Sequence, residues 1–192
     1  MSFLDLIVGP NGAGKTTLYE LIIATGRPGL PFVNADRIAA DRYGADAEAR
    51  SYEAAEIAAR TRTALIDARI DFCAETVFSH SSKVDFVSAA VAADYHVTVH
   101  VVMVPLALSM RRVLARVAAG GHSVPEDKVR LRYERIWPHV AAIVPTANQT
   151  VFWDNSDDSG PVEIATFRQG LADAPPAWPA WCPPEIAALG TP

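Results

Sequence analysis

Residues 9–17 read Gly9-Pro10-Asn11-Gly12-Ala13-Gly14-Lys15-Thr16-Thr17, and this stretch decides the fold of the 192-residue chain. It fits the spacing G-x-x-x-x-G-K-[ST]. Glycines let the backbone curl so that its N–H groups face phosphate oxygens, and the helix that follows adds its positive N-terminal end. The apolar run Phe3-Leu-Asp-Leu-Ile-Val8 precedes the loop as a strand. The pattern therefore predicts a P-loop that binds a nucleoside triphosphate.

We expect all nine residues of this loop to contact ATP, and two of them to have specific tasks. Lys15 bridges the terminal phosphates and so takes part in catalysis, and the Thr16 hydroxyl ligates Mg²⁺. ATP and Mg²⁺ are therefore the predicted cofactors.

Short β-rich runs alternate with longer helical runs along the chain. Strands are predicted at 3–8, 32–33, 70–74, 95–104, 150–153 and 162–167. Helices are predicted at 15–24, 36–69 with a break at Gly44, 83–93, 106–119, and 125–144 with a distortion at Pro138. Strands that alternate with helices form a mostly parallel sheet covered on both faces. The predicted fold class is α/β, of the P-loop NTPase type.

The composition changes after residue 172. Six of the fourteen prolines lie in 173–192, together with Trp178 and Trp181. We predict one domain over 1–172 and an irregular tail over 173–192 that packs on the same domain through its tryptophans. The alternative is a proline-rich docking peptide.

Charge and cysteine content narrow the class of partner and the compartment. The formal net charge of -5 argues against a nucleic-acid backbone as the main partner. Cys73 and Cys182 fit neither a disulfide framework nor a metal-ligand spacing, which favours a reducing cytoplasm. The first apolar run contains Asp5 and has no basic flank, so no signal peptide is expected. The longest apolar stretch, 97–108, is too short to span a bilayer.

Polar side chains follow two predicted strands at the edge where α/β proteins bind ligands. Asp36 follows the second strand, where it either accepts the proton of an acceptor hydroxyl or caps the next helix. Glu75 follows the third strand, and with Thr76 and Ser79 it is predicted to bind substrate; the alternative is a polar strand end that leads into a loop. No acidic residue follows the fourth strand, so Asp36 and Glu75 are both candidates for a second Mg²⁺ anchor.

Arginines crowd the segment between the fourth and fifth strands. They are Arg111, Arg112, Arg116, Arg130, Arg132 and Arg135. Arginine can neutralise the charge that develops during phosphoryl transfer. We expect at least one of Arg116 and Arg132 to be catalytic, and Arg111 and Arg130 to be solvated.

In their order along the chain these segments resemble the zeta toxin family of P-loop kinases. The matching stretches are the P-loop, Val33-Asn-Ala-Asp36, Glu75-Thr76, and Arg116-Val-Ala-Ala-Gly-Gly-His-Ser-Val-Pro125 followed by Arg132-Tyr133. The resemblance implies an adenylate-kinase-like fold and transfer of phosphate from ATP, with Mg²⁺, to the amino-sugar 3′-hydroxyl of UDP-N-acetylglucosamine. It also implies a toxin restrained by a separate antitoxin protein.

By this resemblance Asp36 matches the catalytic base, Glu75 a substrate-site acid, and Arg116 and Arg132 the two arginines that act in the transition state. Two features differ from the usual family pattern. Val77 stands where the family has a second threonine, and the Gly120-Gly-His122 insertion marks a subgroup. The acceptor hydroxyl therefore stays open.

Three functions are compatible with the sequence. The first is a kinase for a small-molecule hydroxyl, with a sugar nucleotide as acceptor. The second is a kinase for another metabolite or an antibiotic, or for the 5′-hydroxyl of a nucleic acid. The third is a nucleotide-binding switch that transfers no phosphate, although such switches normally need a Walker B acid.

Overall fold

A computed structural model describes residues 1–119 and 125–190, and its centre is a mostly parallel sheet. In these residues the sheet has seven strands in the order β2-β3-β1-β4-β5-β6-β7. The strands are β1 (Ser2–Val8), β2 (Phe32–Asn34), β3 (Phe72–Thr76), β4 (Tyr95–Met103), β5 (Gln149–Asp154), β6 (Val162–Arg168) and β7 (Leu171–Ala172). The first five pair in parallel, and β6 and β7 are antiparallel. This confirms the α/β fold class predicted from the sequence.

Helices connect the parallel strands. They are α1 (Lys15–Leu18), a π-helical turn (Tyr19–Ile23), α2 (Ala24–Gly26), α3 (Ala35–Tyr43), a 3₁₀ turn (Gly44–Asp46), α4 (Ser51–Asp67), α5 (Ser82–Ala92), α6 (Leu106–Ala118), α7 (Glu126–Ile143) and α8 (Pro184–Ala187). The predicted break at Gly44 separates α3 from α4. Helix α7 continues through Pro138 and is not interrupted there.

The alternation of side chains along β1 builds a core on each face of the sheet, because successive residues of a strand point to opposite faces. Leu4, Leu6 and Val8 contribute to a large core that includes buried residues of α4, α5 and α7. Ile7 contributes to a smaller core with Leu18, on the side of α1. The sheet is therefore covered on both faces.

Strand β3 ends later than the sequence predicts. Its ladder with β1 pairs Ile7 with Glu75 and Val8 with Thr76, so both polar residues lie inside the strand. The sequence prediction ended at residue 74 because the apolar run ends there. Pairing with the central strand extends β3 by two residues and fixes the backbone of Glu75 beside the P-loop.

The C-terminal segment packs against the large core. Trp178 makes an edge-to-face contact with Phe152, with ring centroids 5.0 Å apart, and stacks on Phe167 at 6.2 Å. Ile186 of α8 is fully buried. The division into a domain over 1–172 and a tail over 173–192 stays a prediction. In the part of the chain that the structure describes, no helix combines the length and apolarity needed to cross a membrane.

Candidate active site

A cleft of about 740 Å³ opens at the carboxyl edge of the parallel strands. Its walls are the P-loop, the start of α3, one face of α4, the segment after β3, and the facing parts of α6 and α7. Most of the predicted site residues line this one cleft: Asn11, Gly12, Gly14, Lys15, Thr16, Asp36, Glu75, Thr76, Ser79, Arg116 and Arg132. Four predicted ATP contacts are not on its wall, namely Gly9, Pro10, Ala13 and Thr17.

Two glycines of the P-loop are required by backbone conformation and by space. Gly9 has φ 150° and Gly14 has φ 88°, values that residues with a Cβ rarely adopt. A Cβ on Gly9 would meet the carbonyl oxygen of Val102, and one on Gly14 would meet the side-chain amide of Asn155. The loop therefore passes so close to β4 and to Asn155 that only glycine fits at these positions.

Two polar residues that the sequence reasoning missed, Asn155 and Ser109, hold the P-loop in place, and Arg112 in turn holds Asn155. Asn155, which is buried just after β5, donates from Nδ2 to the carbonyl oxygen of Ala13 at 2.7 Å. The Ser109 hydroxyl donates to the carbonyl oxygen of Asn11 at 2.6 Å, and Arg112 donates to the carbonyl oxygen of Asn155 at 3.0 Å. The position of Asn155 directly after a strand was the available signal.

Replacing Asn155 with alanine should lower the free energy of unfolding by about 1–3 kcal/mol, because it removes the donor to a buried carbonyl. It should also weaken nucleotide binding, since the loop loses this contact. Asn148→Ala is the matched control: its Oδ1 accepts from the Val97 N–H at 2.9 Å, near the amino end of β4. Denaturation and ATP titration of both variants test the prediction. Equal nucleotide affinity in the two variants would contradict it.

Lys15 is buried at the floor of the cleft and lies among four other charged side chains. Its Nζ donates to the Pro10 carbonyl oxygen at 2.9 Å and lies 3.9 Å from Glu75 Oε1. Burial lowers the pKa of Lys15, an effect that Glu75 and Asp36 oppose and that Arg116 and Arg132 reinforce. An anion placed here would stabilise the charged lysine.

Glu75 connects the P-loop to the second strand. Its Oε2 accepts hydrogen bonds from the Thr16 hydroxyl at 3.0 Å and from the Asn34 amide at 2.8 Å. A hydroxyl and a carboxylate are hard oxygen ligands of the kind Mg²⁺ prefers. Within residues 1–119 and 125–190, no group of three or more His, Cys, Asp and Glu could hold a metal.

Asp36 lies in the first turn of α3 and lines the cleft, but it does not cap this helix. Asn34 is the cap of α3, and its Oδ1 accepts from the N–H groups of Asp36 at 2.7 Å and Arg37 at 3.1 Å. The capping interpretation of Asp36 is therefore wrong: Asn34 satisfies the first N–H groups of α3, a role that the sequence reasoning missed. The Asp36 carboxylate is exposed on the cleft wall.

The arginines of the segment divide into two groups. Arg116 at the end of α6 and Arg132 in α7 both line the cleft, whereas Arg111, Arg130 and Arg135 do not. The Gly120-Gly-His122 stretch between these helices lies outside the described residues.

Comparison with solved structures identifies similar folds at low sequence identity. The complex of AvrRxo1-ORF1 with AvrRxo1-ORF2, solved with sulphate ions, has a TM-score of 0.73 at 18% identity, covering 92% of this chain and 62% of that chain. The same pair solved with ATP has a TM-score of 0.69 at 17% identity, covering 91% and 60%. The PezAT toxin-antitoxin system of Streptococcus pneumoniae has a TM-score of 0.58 at 14% identity, covering 84% and 71%. The chain thus spans only about three fifths of the two AvrRxo1 chains.

No match was found among curated proteins. The family described as "Zeta toxin" matches residues 3–158, which contain the P-loop, Asp36, Glu75 and both cleft arginines. This match covers most of the chain, and the fold and the P-loop agree with it. The chain therefore belongs to the zeta toxin family and has a P-loop kinase fold.

Proposed function

We propose that this protein is an ATP-dependent kinase that phosphorylates a hydroxyl of a small molecule, with a sugar nucleotide such as UDP-N-acetylglucosamine as acceptor. The observation that carries the proposal is that Lys15, Asp36, Arg116 and Arg132 all line one cleft beside the P-loop. The AvrRxo1 complex solved with ATP supports the choice of nucleotide. Membership in the zeta toxin family supports the reaction class, and the choice of acceptor rests on the resemblance of the sequence motifs to that family.

In the proposed reaction Asp36 accepts the proton of the acceptor hydroxyl. The acceptor oxygen forms a bond to the γ-phosphorus, the bond from that phosphorus to the β–γ bridging oxygen breaks, and ADP leaves. Lys15, Arg116 and Arg132 neutralise the charge that develops on the transferred group and on the leaving oxygen. Asp36, Arg116 and Arg132 are each close enough to Lys15 to shift its pKa, Asp36 upward and the two arginines downward.

Thr16 and Glu75 would hold Mg²⁺, directly or through water. When bound, this ion supplies positive charge at the β- and γ-phosphates. The contact between the Thr16 hydroxyl and Glu75 supports this role for Glu75, which the sequence predicts both as a substrate contact and as a candidate Mg²⁺ anchor. Thr76 and Ser79 remain the proposed substrate contacts of the segment after β3.

We also propose a separate antitoxin protein as a partner and a cytoplasmic location. Two similar structures support the partner: AvrRxo1-ORF1 was solved together with AvrRxo1-ORF2, and PezAT is a toxin-antitoxin system. Cys73 and Cys182 both have free thiols, which suits a reducing compartment.

The direct test is incubation of purified protein with ATP, Mg²⁺ and UDP-N-acetylglucosamine. We expect ADP and a sugar nucleotide that carries one added phosphoryl group, detected by mass spectrometry and phosphorus NMR. A parallel incubation with labelled ATP and a metabolite extract identifies another acceptor if the first remains unmodified. Label that reaches no small molecule in either incubation would contradict the kinase proposal and favour a nucleotide-binding switch.

A further inference from the structure

The cleft carries an excess of positive charge, and part of that charge lies away from the residues that would bind the phosphates of ATP. Its wall contains six cationic side chains and three carboxylates, in a protein whose formal net charge is -5. Lys15, Arg116 and Arg132 face the proposed phosphates of ATP. Arg62 and Lys83 lie elsewhere on the wall, on α4 and α5.

Arg62 is a buried cation that pairs with no carboxylate in the part of the chain that the structure describes. The face of α4 that lines the cleft includes Tyr52, Ala55, Ala58 and Arg62, spaced by three or four residues as one side of a helix requires. Only 6% of Arg62 is exposed. Within residues 1–119 and 125–190 its side chain forms no hydrogen bond and no ion pair, and Cζ lies 5.1 Å from the centroid of the Phe86 ring. Burying a charge without a partner is costly, and burial lowers the pKa of Arg62.

Lys83 is the second cation at this end of the cleft. It lies one turn before Phe86 on α5, so Arg62 and Lys83 approach the same side of that helix. Burial, and then the positive charge of Arg62, lowers the pKa of Lys83. In the described residues neither side chain forms an ion pair, so the two cations repel one another. An anion bound between them would remove the repulsion and compensate for the burial.

The segment between β3 and α5 adds polar groups to the same corner. Ser79 and His80 both line the cleft. They follow Phe78, a buried residue whose φ of 68° is uncommon for a bulky side chain. This turn directs the chain from Glu75 toward Lys83, so the corner continues directly from the proposed reaction centre.

We propose that Arg62 and Lys83 bind an oxyanion of the acceptor, a phosphate or a carboxylate, and thereby determine acceptor specificity. The proposal rests on the proposed function for its claim that the anion belongs to the acceptor. A guanidinium presents several N–H donors in a plane and binds such groups through two oxygens, and the ammonium adds a point charge. Neutral hydroxyl compounds would be poor acceptors.

The test measures anion binding without requiring turnover. Purified protein is saturated with Mg²⁺ and a non-hydrolysable ATP analogue, so that the P-loop is occupied, and inorganic phosphate is titrated by calorimetry or NMR. We expect saturable binding that Arg62→Gln and Lys83→Gln each weaken about ten- to a hundredfold, the range for loss of a charged hydrogen-bond partner. Arg60→Gln is the matched control, because Arg60 is exposed on the same helix and is absent from the cleft wall.

A second titration uses malonate, a dicarboxylate, in place of phosphate. The ligand that binds more tightly indicates whether the anionic group of the acceptor is a carboxylate or a phosphate. Phosphate affinity that is unchanged in Arg62→Gln, or equally weakened in Arg60→Gln, overturns the proposal. Because no phosphoryl transfer is measured, the anion site can fail or hold independently of the kinase proposal. With an acceptor in hand, Arg62→Gln should raise the KM for that acceptor and leave the KM for ATP unchanged.

The variant Arg62→Met distinguishes the anion site from a purely structural role of Arg62. If Arg62 serves the anion site, the variant removes a buried charge that no carboxylate compensates in the described residues, so Tm should stay the same or rise. Arg62→Lys keeps a positive charge and should recover part of the phosphate affinity. A Tm that falls in Arg62→Met while phosphate affinity is kept would assign Arg62 to packing and contradict the anion site.

Discussion

Replacing Asp36 with asparagine should lower the rate of phosphoryl transfer by about 10²–10⁴-fold and leave ATP affinity nearly unchanged. The amide has the size of the carboxylate but cannot accept the proton of an acceptor hydroxyl. Asn34 caps α3, so the helix should form normally in the variant. Single-turnover measurement of the transferred phosphate, together with an ATP titration, checks both parts of the prediction.

The control for this prediction is Asp41→Asn, an exposed acid of the same helix that is absent from the cleft wall. It should transfer phosphate at the wild-type rate. Glu75→Gln tests the alternative in which Glu75 is the base and Asp36 the Mg²⁺ anchor. In our assignment this variant should bind Mg²⁺ more weakly, because Glu75 contacts Thr16. The roles would be exchanged if the transfer rate still required a deprotonated carboxylate in Asp36→Asn but no longer required one in Glu75→Gln. Glu75 would then be the base and Asp36 the Mg²⁺ anchor.

The parts of this fold that local sequence pattern controls were predictable. The P-loop, the alternation of strands and helices and the break at Gly44 all depend on residues that are close in sequence. The end of β3 was not, because Glu75 and Thr76 become strand residues only through pairing with β1. The two-residue strand β7 is too short to show a period.

The candidate site also contains some features that could be predicted from the sequence and others that could not. Asp36 and Glu75 could be placed on the cleft because carboxyl ends of parallel strands share an edge. The choice of Asn34 rather than Asp36 as the cap could not, because both residue types cap helices well. Arg60 and Arg62 look alike in the sequence, and only tertiary packing exposes the first and buries the second.

Removing the positive charge at Arg132 or Arg116 should lower kcat by a larger factor than it lowers the affinity for the nucleotide. An arginine that stabilises charge in the transition state contributes about 10³–10⁵-fold to kcat in related phosphoryl-transfer reactions. Both side chains line the cleft and both lower the pKa of Lys15, so both lie near the lysine that we propose contacts the γ-phosphate. Arg132→Gln and Arg116→Gln should each lower kcat, and the larger loss identifies the arginine that contacts the transferred group.

Each arginine variant has a neighbour as its control. Arg135→Gln changes α7 and Arg111→Gln changes α6, both at exposed positions away from the cleft wall. These two variants should keep the wild-type kcat. If Arg132→Gln and Arg116→Gln also kept it, the charge would have to come from Lys15 alone or from a partner. If both lost kcat and the double variant lost no more than the worse single one, the two arginines would act as one unit on the same developing charge.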